Sequence, residues 1–149
     1  PHVIDENHLV EIIRKLKRPY VRYTRADEKN VRKADCLIID CFGLLSSIYR
    51  YGEIAYIGGG FGVGIHNTLE AAVYGIPVIF GPKYQKFQEA IQLLEAKGAF
   101  SVKDYEELKT LLDRMLTDEV FLRESGMNAS NYVTGNAGAT DKIMSMINF

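Results

Sequence analysis

Apolar positions along the chain change period several times, and each change marks an element. Leu9, Ile12, Ile13 and Leu16 recur at the spacing of one helix face, so residues 5–17 read as an amphipathic helix, with Pro19 beyond its stop. Tyr20-Val-Arg-Tyr-Thr24 reads as a short strand. Cys36 to Cys41 is a nearly continuous apolar run and reads as a strand buried on both faces. Leu44 to Tyr51 reads as a short helix stopped by Gly52. Ile54 to Ile57 is a further buried strand, ending in Gly58-Gly-Gly60. A helix over 68–74 with Gly75 as its stop, a strand over Pro77–Phe80 and a helical stripe of Phe87, Ala90, Ile91 and Leu94 stopped by Gly98 follow. Ala99–Val102 reads as a strand. Asp104 and Glu107 have capping-box spacing ahead of a helix carrying Leu108, Leu111, Leu112, Met115 and Leu116. Residues 118–134 and 138–148 read as helices.

Strands that alternate with helices over short connections predict an α/β chain: a doubly wound parallel sheet with helices on both faces, in one domain over residues 1–149. A sheet of this kind opens with a strand. Here a helix starts at residue 5, and Val3-Ile4 leave room for no more than a stub. In the usual order 3-2-1-4-5-6 that first strand is central, so the strands at 20–24 and 54–57 would flank its slot. Closure of the slot, or pairing with another chain and hence self-association, is expected, because unpaired edges seek partners.

Composition narrows the classes. The 149 residues are 47% hydrophobic and 25% charged with a net charge of −1, which excludes disorder, and no apolar run spans a bilayer. Cys36 and Cys41 are too few for a disulfide framework and read as buried, reduced thiols in a cytoplasmic protein. The near-zero charge hides a basic end: residues 1–33 hold nine Lys or Arg against five acids. A solvated helix face with its loop accounts for this, and a phosphate or an anionic membrane surface is the other reading. Acids interrupt the basic run, so no nucleic-acid partner is expected.

The candidate chemistry lies in residues 58–70, where glycines at 58, 59, 60, 62 and 64 separate a strand from a helix. Such a loop lets backbone approach an anion, and the helix start presents free N–H groups. A tight turn alone also accounts for the glycines. Asn67 and Glu70 stand three apart, the spacing of a capping box; Glu70 could equally accept hydrogen bonds from vicinal hydroxyls. His66 could donate to a phosphate or to a backbone partner. Asp40, at a strand end, is a site residue or is satisfied by loop amides. No metal-ligand spacing and no nucleophile elbow occur.

Three segments together resemble a known family. They are Asp40–Gly60, Gly64-Ile-His-Asn-Thr-Leu-Glu-Ala-Ala72 and Gly75-Ile-Pro-Val-Ile-Phe-Gly-Pro82. In order and spacing they are similar to the C-terminal, Rossmann-like half of the two-domain (GT-B) 3-deoxy-D-manno-octulosonic acid (Kdo) transferases. Leu44 stands where the family has Glu, Ile65 where it has Gly, and Thr68 where it has Pro. The resemblance implies CMP-Kdo as donor and a lipid A precursor as acceptor in lipopolysaccharide biosynthesis. It implies transfer with inversion, no cofactor and no required metal. The donor-binding residues it implies are Phe42, Gly43, Gly59, Gly60, Gly64, His66, Asn67, Thr68 and Glu70. Phe42 and Gly43 would face the cytosine, and Glu70 would hold the ribose hydroxyls. No catalytic residue is assigned, because the family's carboxylate base and acceptor site lie in an N-terminal domain. The fragment alone is expected to be soluble and inactive, and the full enzyme to work at the cytoplasmic face of the inner membrane of Gram-negative bacteria. A related transferase using a UDP-sugar and a non-catalytic nucleotide-binding domain are the alternatives.

Overall fold

A computed structural model describes residues 4–147, and the chain divides into two compact units, 1–47 and 48–149. Val3, half of the Val3-Ile4 stub, lies outside the described residues.

In the first unit, helix α1 (Glu6–Lys15) starts where the Asp5 carboxylate accepts the His8 N–H at 3.0 Å. Strand β1 (Tyr20–Arg22), a turn of 3-10 helix (Tyr23–Arg25), helix α2 (Glu28–Val31) and strand β2 (Cys36–Ile38) follow, with helix α3 (Leu45–Ile48) at the unit's end. Asp27 and Asn30 form a full capping box on α2. β1 and β2 pair in parallel, Tyr20 against Cys36. Leu9, Val21 and Ile38 are the buried apolar side chains.

The apolar run 36–41 is not a strand buried on both faces. β2 stops at Ile38, and Leu37 is 50% exposed. The reason is Asp40, which turns inward: it accepts from Arg22 Nε (2.7 Å), Thr24 N–H (2.9 Å) and the Thr24 hydroxyl (2.6 Å). Those bonds draw residues 39–41 out of the ladder. Cys36 and Cys41 are free thiols, half-buried rather than buried.

The second unit is built on strand β3 (Ala55–Tyr56), helix α4 (Leu69–Ala72), strand β4 (Val78–Phe80), helix α5 (Gln88–Glu95), strand β5 (Ala99–Ser101) and helices α6 (Tyr105–Thr117), α7 (Glu119–Gly135) and α8 (Ala139–Met146). The sheet order is β3-β4-β5, all parallel. β4 is central and fully buried, and its alternation separates two cores. Val78 and Phe80 pack with Ala71, Ala72, Ala90, Leu93 and Ala129, from α4, α5 and α7. Ile79 packs with Val102 and Met115, flanked by Leu108, Leu111, Leu112 and Phe121. Helices therefore cover both faces, as the doubly wound reading requires.

Three details differ from the sequence reading. The strands at 20–24 and 54–57 belong to different sheets, β1 with β2 and β3 with β4 and β5. The second concerns α5, which ends not on Gly98 but on Lys97, the one described non-glycine residue with positive φ (59°). Gly98 is needed for packing: a Cβ there would sit 2.6 Å from the Ala129 backbone of α7. The third is at α6. Asp104 accepts the Glu107 N–H (2.9 Å), but Glu107 returns to the N–H of Lys103 (2.8 Å), one residue before the cap.

Candidate functional site

The glycine turn sits at the carboxyl ends of β3 and β4, where ligands of open α/β sheets bind. Ile57 N–H still donates to Ile79 O (2.8 Å), and the chain then folds back on itself. Gly60 N–H donates to Val63 O (3.0 Å) and Gly64 O (3.3 Å), and His66 N–H to Gly58 O (3.3 Å). Gly59, at φ +93°, faces Ile65 across this closed turn. Gly60 (φ +80°) lies back to back with Gly81, the residue after β4: a Cβ on Gly60 would lie 2.8 Å from the Gly81 backbone. Only two glycines allow the strand ends to approach so closely. A Cβ on Gly64 would meet the Phe87 ring at 2.5 Å. The tight-turn role of these glycines is thus met in full, and two of the turn's amides are already spent on its own closure.

Past the turn, Asn67 Oδ1 accepts the Leu69 N–H (3.0 Å) and Asn67 Nδ2 donates to Glu70 Oε1 (3.0 Å). The spacing of three does tie these side chains together, but as a pair at the start of α4 and not as a capping box, since Thr68 holds the cap position. The Thr68 hydroxyl is buried with no hydrogen-bond partner, in a residue only 1% exposed. Glu70 carries its charge near Tyr49: burial first, and then that charge, push the Tyr49 phenol above its ordinary pKa. His66 is exposed at the end of the turn.

Residues the sequence reading did not single out belong to this region. Lys83 N–H donates to Gly60 O (2.9 Å) and its Nζ to Gly62 O (3.1 Å), stapling the turn from the β4–α5 connection. With Lys86, Gln85 and Phe87 it lines a cleft of about 460 Å³ beside Gly62, Val63 and Gly64. The Gly81-Pro82 pair that ends β4 was the available signal. Val63 at the tip is 82% exposed.

Phe42 and Gly43 belong to the first unit. Phe42 is 79% exposed and Gly43 has φ +85°, so the segment after Asp40 is an open turn on a fixed root. That root is a chain of charges: Arg22 also binds Glu6 at 2.7 and 3.2 Å. The Thr24 hydroxyl, then its N–H and Arg22, hold the Asp40 carboxyl far below the usual carboxylate range. Asp40 is satisfied within its own unit. Among the described residues, no three His, Cys, Asp or Glu side chains come together as metal ligands, and no helix is long and apolar enough to cross a membrane.

Parallel strands covered by helices on both faces, with a glycine turn at the strand ends, define a Rossmann-like α/β protein. Comparison with known proteins narrows the class. No family model matches the chain. It is 42% identical over 87 residues to the 3-deoxy-D-manno-octulosonic acid transferase of Aquifex aeolicus, an alignment covering 57% of this chain and 25% of that protein. It is 32% identical over 116 residues to the same transferase of Rickettsia bellii, covering 76% of this chain and 28% of that one. With the Chlamydia muridarum transferase it shares 33% over 94 residues. The chain spans about a quarter of the length of the curated relatives it matches. A crystal structure of the C-terminal CMP-Kdo binding domain of WaaA from Acinetobacter baumannii superposes with a TM-score of 0.72 at 19% identity, covering 85% of this chain and 67% of that one. By sequence the chain is similar to Kdo transferases, and its fold is that of the C-terminal CMP-Kdo binding domain of WaaA.

Proposed function

We propose that this chain is the donor-binding part of a glycosyltransferase that moves Kdo from CMP-Kdo to a lipid A precursor. The observation that carries the reading is the 42% identity to a Kdo transferase together with a built glycine turn at the carboxyl ends of β3 and β4. The site is assigned to Gly59, Gly60, Gly64, His66, Asn67, Thr68 and Glu70. Glu70, oriented by Asn67, would accept from the ribose hydroxyls.

In the reaction an acceptor hydroxyl attacks the anomeric carbon of Kdo from the face opposite the phosphate. The carbon–oxygen bond to CMP breaks, its electron pair stays on the phosphate, and the configuration inverts. The turn backbone and the start of α4 would stabilise the charge developing on that phosphate. The hydroxyl proton goes to a base that this chain is not assigned to provide. The chain alone therefore binds donor without transferring sugar.

Amide chemical shifts on addition of CMP to the labelled chain test the assignment. Shifts centred on 58–70 and 83–87 are expected. Shifts centred on the wider cleft between β5 and α6, of about 610 Å³ and lined by Phe100, Leu111 and Arg114, would overturn it.

A further inference from the structure

The basic end of the sequence becomes a surface once the strands are placed. Asp35 N–H and Cys36 N–H both donate to Pro19 O, at 2.9 and 3.1 Å, and Tyr20 registers with Cys36. The residues before β1 and those before β2 therefore share one end of the first unit. Arg14, Lys15, Lys17 and Arg18 come from the first approach and Arg32 and Lys33 from the second; all six side chains are exposed. Asp35 is the acid among them, paired with Arg18 at 3.7 Å. Among the described residues the other five basic side chains have no ion-pair partner. The carboxyl end of α1 accounts for Arg14 and Lys15, which oppose its dipole. It does not account for Lys17, Arg32 and Lys33, which lie outside that helix. Tyr20 and Val31, both exposed, stand among these charges. Asp40, Phe42 and Gly43 follow β2 and so mark the opposite end of the strands.

We propose that this basic pole docks the chain on an anionic lipid surface. Lys and Arg gather near negative headgroups, and Tyr prefers the membrane–water boundary. A single tyrosine offers too little stacking surface for a nucleic-acid strand. The proposal is independent of the donor site.

The test is cosedimentation of the full chain with vesicles of phosphatidylcholine containing about 30% phosphatidylglycerol. Binding in about 0.05 M salt, release in about 0.5 M salt and no binding to pure phosphatidylcholine are expected. The variant K17Q/R32Q/K33Q should lose retention, at about fivefold per removed charge. Its melting temperature and its CMP titration should stay unchanged, which separates lost docking from lost folding. Absence of wild-type binding, or full retention of the variant, overturns the proposal. So does retention of an RNA oligonucleotide, lost in the variant, where vesicles are not bound.

Discussion

Replacing Glu70 with glutamine separates its two roles. A glutamine side-chain oxygen can still accept from Asn67 Nδ2, so the 3.0 Å bond at the start of α4 survives. What is lost is a negative charge in the first turn of a four-residue helix, worth about 0.3–1 kcal/mol. Net destabilisation should stay below about 1 kcal/mol, or roughly 3 °C in melting temperature for a chain of this size. If Glu70 holds ribose hydroxyls, the variant forfeits charged hydrogen bonds worth about 1–3 kcal/mol. CMP affinity then falls roughly 5- to 150-fold. Isothermal titration with CMP, beside a thermal melt, reads both. An affinity within about twofold of wild type, with a melting temperature depressed by well over 3 °C, would refute the ribose-binding reading and leave Glu70 as a structural residue.

Thr68→Val removes a buried hydroxyl that has no partner, so stability should hold or rise by about 1 kcal/mol; a clear loss of stability in the melt contradicts this. Asp40 titrates far below the ordinary carboxyl range in the folded chain, so its contribution is present above the unfolded pKa of about 3.9 and is lost as pH falls below that. Unfolding followed between pH 5 and 2 should show this loss in wild type and a flatter profile in Asp40→Asn; identical profiles would exclude Asp40 as the source. β1 pairs only with β2 and β3 only with β4 among the described residues. Scattering mass should therefore rise with concentration through edge pairing, and a constant monomer mass contradicts it.

The parts legible in the sequence were those with local periodicity. β4, α5 and α6 carry their burial pattern in the apolar spacing, and the Asn67–Glu70 pair is written in a spacing of three. The length of β2 was not legible, because what ends it is Thr24 and Arg22, sixteen and eighteen residues before Asp40. The glycine turn was legible as a turn, but the need for Gly60 comes from Gly81, which is remote in sequence. Lys83 was missed for the same reason: its Nζ bonds a carbonyl 21 residues away. Gly98 was read as a helix stop from its place after α5, yet its contact is with α7, far along the chain.

The central claim is that residues 58–70 form a donor site for a CMP-linked sugar. Its most direct test is titration of the 149-residue chain with CMP-Kdo, CMP, UMP and UDP under matched conditions. The account predicts saturable binding of CMP-Kdo and CMP, weakened by Glu70→Gln, with UMP and UDP binding at least about tenfold more weakly. Equal binding of UDP, or no binding of any of the four by a folded chain, would contradict it.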